Sequence, residues 1–218
     1  MISLNDKKYI LFDLDGTITD SCEGIVNSVR YALKKFEIIE YDTEVLYKFI
    51  GPPLLDSFMK YYGFSKEKAV TAVKYYREYY SKTGIFENRL YEGIGELLKE
   101  LHQNGKRVIL ATSKPEKFAD IILEHFNISK YFDFVGGATM NEKRSQKEEV
   151  IDYILKSQNI SPDNAVMIGD TKFDIIGAHM FGMEAIGVLY GFGSEQDLID
   201  ANADHIVTNV NELKKLLI

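Results

Sequence analysis

Tyr9-Ile10-Leu11-Phe12-Asp13-Leu14-Asp15-Gly16-Thr17 is the stretch on which the fold turns. Four apolar residues in a row, with no polar alternation, suit a strand buried on both faces, as strands in parallel sheets are. Two carboxylates, Asp13 and Asp15, follow at once, and Gly16 lets the chain turn away. In open parallel sheets ligands bind outside the carboxyl ends of the strands. The same nine residues therefore predict both a central strand and an acidic site at its end.

Working outward, Arg107–Ala111, Ala165–Ile168, Ala185–Val188 and His205–Val207 read as further strands, with Phe134-Val135 a shorter candidate. Helical patterns fall between them. Leu97, Leu98 and Leu101 share a face before the stop at Gly105, and Phe118, Ile121, Ile122 and Phe126 share another. Val150, Ile151, Ile154 and Leu155 mark a third helix, and 211–217 a fourth. Strand–helix–strand alternation at this spacing implies an α/β fold: a Rossmann-like parallel sheet with helices on both faces.

Residues 18–87 break the alternation, with helical patterns and no expected strand. Ten basic residues balance ten acidic ones there, so the net charge of −7 lies outside this stretch. The expected organisation is a core of residues 1–17 and 88–218, with a helical domain of residues 18–87 inserted after the first strand. The tyrosines at 61, 62, 75, 76, 79 and 80 fall in it; Tyr75 with Tyr79 and Tyr76 with Tyr80 are helical i, i+4 pairs, expected to form its internal core.

Two other strand ends carry chemistry. The strand at 165–168 runs into Gly169-Asp170-Thr171-Lys172-Phe173-Asp174. Clustered carboxylates raise one another's pKa unless a cation compensates them. Mg²⁺, a hard ion that takes one or two carboxylates with water and phosphate oxygens, meets that need. The strand at 107–111 ends in Thr112-Ser113-Lys114-Pro115, a hydroxyl and backbone N–H groups suited to a phosphate oxygen. Lys114, Lys143, Arg144 and Lys147 are the candidates to neutralise phosphate. Ser145-Gln146-Lys147-Glu148 reads as a capping box, which puts Lys147 in a first helical turn where anions are favoured, and Lys147 is the choice.

The motifs Asp13-x-Asp15-Gly16-Thr17, Thr112, Lys147 and Gly169-Asp170-x-x-x-Asp174 resemble, in order, the four signatures of the haloacid dehalogenase-like phosphatases. The likeness spans the chain and includes a helical cap after the first motif. Gly51-Pro52-Pro53-Leu54 resembles the cap loop of the phosphoglycolate phosphatase branch. The runs at 91–94, 111–116 and 187–193 resemble 5′-nucleotidases. The resemblance implies Asp13 as nucleophile, Asp15 as general acid and base, and Thr112 and Lys147 on the phosphoryl oxygens. It implies Mg²⁺ on the Asp13 side chain, the Asp15 backbone carbonyl and the Asp170 side chain. Asp174, Gly16 and Ser113 take supporting parts, and Gly51, Pro52 and Pro53 meet the leaving group.

Composition narrows the partners. A charge of −7 without a basic stripe argues against nucleic acid, and no apolar run approaches a membrane span. A single cysteine, Cys22, excludes an internal disulfide and points to a reducing cytoplasm. The four histidines show no ligand spacing. The expectation is a cytoplasmic, Mg²⁺-dependent phosphatase of small phosphorylated metabolites, monomer or homodimer. The alternatives are a sugar phosphomutase or a catalytically idle binding protein on the same fold.

Overall fold

The computed structural model describes residues 3–141 and 143–218. Tyr9–Phe12 (β1), Arg107–Pro115 (β4), Phe134–Ala138 (β5), Ala165–Gly169 (β6), Glu184–Val188 (β7) and His205–Val207 (β8) form a six-stranded parallel sheet. Its order is β5-β4-β1-β6-β7-β8. The apolar runs read as strands are those strands: β1 and β8 match their runs, and β4, β5, β6 and β7 are longer. β5 is longer than its Phe134-Val135 signal because Gly136 and Gly137 complete it.

Period-two alternation sends neighbouring residues to opposite faces. Leu11, Ile109, Met167 and Ala185 join one buried cluster with Val150, Ile151 and Ile154 of Lys147–Gln158 (α7) and Ile175 and Ala178 of Lys172–His179 (α8). Ile10, Phe12, Val108, Leu110 and Ile168 are equally buried and project the other way. There the sheet meets Ile94–Gln103 (α5) and Glu116–His125 (α6), whose apolar faces are buried. The Gly105 stop signal holds, since Gly105 sits at φ +73°, just past the end of α5.

The capping signal at α7 is shifted by one residue from expectation. Gln146, not Ser145, is the N-cap, and the Glu149 carboxylate accepts from both Ser145 N and Gln146 N, at 2.8 and 3.0 Å. Glutamates at 148 and 149 make the sequence degenerate between the two registers. Either register leaves Lys147 in the first turn.

Contacts divide the chain into residues 1–19 with 90–218, and residues 20–89. The second unit contains Cys22–Lys34 (α1), Thr43–Tyr47 (α2), Leu54–Tyr62 (α3) and Lys66–Tyr79 (α4), followed by a π-helical turn, Tyr80–Gly84. Contrary to the expectation for 18–87, Thr19–Asp20 forms a two-residue strand (β2), paired with Arg89–Leu90 (β3). Two residues are too few for a periodicity to show. The tyrosines serve the unit's own packing. Tyr76 and Tyr80 are buried and stacked at 5.3 Å, Tyr61 and Tyr62 lie against Phe49, Tyr75 against Phe36 and Tyr79 against Tyr31. Among the described residues no helix is long and apolar enough to cross a membrane.

Candidate active site

The sheet's chain order reverses beside β1: β4 and β5 lie on one side, β6 to β8 on the other. Such a switch point leaves a crevice beyond the strand ends. Phe12 pairs with Leu110 on β4 and with Ile168 on β6, so the carboxyl ends of these three parallel strands point to one edge. Asp13 N donates to Ile168 O at 2.9 Å, which fixes the first residue past β1 beside the end of β6.

Asp13, Asp170 and Asp174 converge there, with carboxylate oxygens within 4.8 Å of one another and all three side chains buried. Lys147, reaching in from the first turn of α7, places Nζ 2.9 Å from Asp13 Oδ1, 2.7 Å from Asp174 Oδ1 and 2.8 Å from Ala111 O. Three buried carboxylates thus face one ammonium. Burial pushes the Asp13 carboxyl up to about 6, with Lys147 opposing that rise and Asp174 and Asp15 adding to it. Asp170 is raised well above the carboxylate range, first by burial and then by Asp174 and Asp13. Burial would lower the Lys147 ammonium, but Asp13 and Asp174 reverse this and raise it.

The residual negative charge has a direction. Asp170 Oδ2 accepts from Phe192 N at 2.7 Å, while Asp170 Oδ1 is buried with no hydrogen-bond partner among the described residues. A buried oxygen without a partner is costly unless something else engages it. An all-oxygen set with excess negative charge fits a hard divalent cation. Asp13 and Asp170 are the side chains placed to hold one. Asp174 is already occupied: Oδ1 pairs with Lys147, and Oδ2 accepts from Thr171 N and Oγ1 at 3.0 and 2.8 Å, capping α8.

Gly16 is held open by geometry. Its φ is +84°, and a Cβ there would lie 2.1 Å from Asp170 Oδ2. Asp15 stands apart from the trio, with Oδ2 paired to Lys114 Nζ at 2.7 Å. Thr112 is buried at the end of the regular β4 ladder, and its Oγ1 accepts from Lys114 N at 3.2 Å; Ser113 follows it, half-buried. Of the other cations considered for phosphate, Lys143 is exposed, and Arg144 pairs with Glu116 and lies 3.7 Å over the Tyr153 ring. Gly51, Pro52 and Pro53 belong to the second unit, where Gly51 takes φ +99° and Pro53 O accepts from Ser57 N ahead of α3.

Two contributions had no chemical signal in the sequence. One is the Phe192 amide on Asp170; the run at 187–193 shows only a family likeness. The other is the pairing of Asp15 with Lys114, since Lys114 reads as one more phosphate-seeking cation.

Known proteins resemble this chain along nearly its whole length. Residues 10–188 match the model of the haloacid dehalogenase-like hydrolase family. A 5′-nucleotidase of Pseudomonas aeruginosa is 44% identical over 208 residues, 95% of this chain and 94% of the relative. The tyrosine-protein kinase PtkA of Mycobacterium tuberculosis is 36% identical over 95% of this chain and 72% of its own length. A phosphoglycolate phosphatase of Vibrio parahaemolyticus is 29% identical over 97% of this chain and 96% of its own. The crystal structure of a predicted phosphatase from Clostridium acetobutylicum superposes with a TM-score of 0.93 at 51% identity, covering 95% of this chain and 96% of that one. This chain belongs to the haloacid dehalogenase-like hydrolase family and is a phosphatase of that family.

Proposed function

We propose that the protein is a Mg²⁺-dependent phosphomonoesterase that works through an aspartyl-phosphate on Asp13, with nucleoside 5′-monophosphates as the first substrate class and phosphoglycolate the second. The observation that carries the reading is the Asp13 carboxylate, buried at a strand end beside Lys147 and facing Asp170. The substrate order rests on likeness to the P. aeruginosa 5′-nucleotidase, which exceeds that to the phosphoglycolate phosphatases.

A carboxyl group becomes a nucleophile by losing its proton, and no separate base is needed once it is ionised. Lys147 favours the charged form of Asp13 and orients it through the contact with Oδ1. Asp13 attacks phosphorus and the leaving alcohol takes a proton from Asp15. Asp15, now ionised, then takes a proton from the water that hydrolyses the acyl phosphate. Thr112 donates to a phosphoryl oxygen, and Lys147, whose three N–H groups face Asp13, Asp174 and Ala111 O, releases one of them to do the same; such donors gain strength in a site with little water. Bound at Asp13 and Asp170, Mg²⁺ would offset the repulsion between carboxylate and phosphate and help hold the in-line geometry.

The test is phosphate release from nucleoside 5′-monophosphates, phosphoglycolate, sugar phosphates and pyrophosphate, with Mg²⁺ or with chelator, for wild type and Asp13→Asn. The expected result is release that needs Mg²⁺, is largest for a nucleoside 5′-monophosphate, and disappears in Asp13→Asn. Isomerised sugar phosphate without free phosphate would instead identify a phosphomutase. Equal release from Asp13→Asn would remove Asp13 from the chemistry.

A further inference from the structure

β4 does not end as a regular strand. Its register with β5 runs Ile109↔Phe134 to Thr112↔Gly137 and resumes at Pro115↔Ala138, so Ser113 and Lys114 bulge out of the ladder. A bulge bends its strand and re-aims a side chain, and bulges collect beside active sites. Here it turns Lys114 inward, where its side chain is 7% exposed and Nζ lies 2.7 Å from Asp15 Oδ2. The other oxygen, Asp15 Oδ1, is buried with no hydrogen-bond partner among the described residues. The carboxylate is therefore pinned at one oxygen and left unengaged at the other.

The bulge is braced from behind. Gly137 carries no side chain, and a Cβ there would lie 2.7 Å from Lys114 O. Gly137 N donates to Glu116 Oε1 at 3.2 Å, Arg144 pairs with the same oxygen, and Arg144 Nε donates to Gly137 O at 2.7 Å. Arg144 is thus tied to the strand that faces the bulge.

We propose that Lys114 is a positioning residue for the Asp15 acid–base, holding Oδ2 so that Oδ1 carries the proton to and from the reacting oxygens. The proposal rests on the reading of Asp15 given above. In the first step Asp13 bonds to phosphorus as the P–O bond to the leaving group breaks, and the departing alkoxide takes the proton from Asp15 Oδ1. The carboxylate left behind is stabilised by the ammonium beside Oδ2. In the second step the same carboxylate accepts a proton from water as that water's oxygen bonds to phosphorus and the Asp13–phosphorus bond breaks. Lys114 touches neither substrate nor phosphorus in this scheme.

A proton donor matters for a poor leaving group and hardly at all for a good one. The readout is the kcat/KM of p-nitrophenyl phosphate divided by that of a nucleoside 5′-monophosphate, with Mg²⁺ present. kcat/KM reports the first chemical step and everything before it, so slow hydrolysis of the intermediate does not enter. Lys114→Met should raise this ratio about tenfold to a hundredfold, a share of the 10² to 10⁴ that general acids supply. In the Asp15→Asn background, Lys114→Met should change the ratio little further, because one residue acts through the other. Lys114→Arg, which keeps a cation, should restore part of it. If Lys114→Met does not fold, Lys114→Gln carries the same comparison. Equal loss on both substrates would show Lys114 on the phosphoryl group itself and overturn the proposal, as would an unchanged ratio. An unchanged ratio in Asp15→Asn alone would instead remove Asp15 as the acid, a failure of the underlying reading that the single variants distinguish.

Discussion

Lys147 Nζ stands between Asp13 and Asp174 at hydrogen-bonding distance from both, nearly out of contact with water. Removing one partner of a buried ion pair costs roughly 3–5 kcal/mol, because the other charge stays buried and uncompensated. Lys147→Met should therefore lose on the order of that stability at neutral pH in chelator, as read by urea unfolding. A loss below about 1 kcal/mol would mean that the carboxylates are compensated in another way. The strand-end aspartates and Lys147 are legible in sequence because each sits next to an unmistakable local signal: a strand end or a helix start. The pairing of Asp15 with Lys114 is not legible, since it joins residues far apart in the chain through a bulge that no periodicity announces.

At the scale of an element, α7 starts at Lys147, one residue before the Glu148 start read from sequence, and a different residue caps it. Ser145 and Glu148 have the types and spacing of a capping box, but Gln146 and Glu149 occupy those positions. Val150, Ile151 and Ile154 meet the sheet with either cap, and the cap adopted is the one in which the Glu149 carboxylate accepts from two backbone N–H groups. Glu149→Ala should thus cost about 1 kcal/mol, since two backbone N–H groups lose their acceptor. Glu148→Ala should stay within about 0.5 kcal/mol. Chemical denaturation of the two variants side by side checks this, and the reverse order would restore the register expected from sequence. β2 and β3 escape sequence reading for the opposite reason, being two residues long with no pattern to betray them.

For the whole molecule, the six-stranded sheet is legible because strands buried on both faces are written as unbroken apolar runs, and β5 is weak because two of its five residues are glycine. The inserted helical stretch is visible as a gap in the alternation. Fold and site are coupled through charge. The Asp13 carboxyl, raised by burial to about 6, and Asp170, raised in the same direction, hold their protons longer in the folded chain than in the unfolded one. Between the unfolded carboxylate pKa and the raised folded values the native state binds more protons, so these groups lower stability as pH rises. The raised Lys147 ammonium stays protonated throughout this window and adds no slope there. In chelator, the melting temperature should therefore carry a downward contribution from about pH 4 through pH 6 and above. Mg²⁺ at a hundred times its dissociation constant adds about 2.7 kcal/mol, and its stabilisation should be greater near pH 7.5 than near pH 5. Equal Mg²⁺ shifts at both pH values would detach the ion from these carboxylates. The most direct test of the chemistry is to trap the phosphorylated residue. Asp15→Asn turning over p-nitrophenyl phosphate with Mg²⁺ should form the acyl phosphate readily, since this leaving group needs no acid, and hydrolyse it slowly. Quenching, borohydride reduction and peptide mass spectrometry should then find homoserine at position 13. Continued turnover with position 13 unmodified, or reduction at another carboxylate, would contradict Asp13 as the nucleophile.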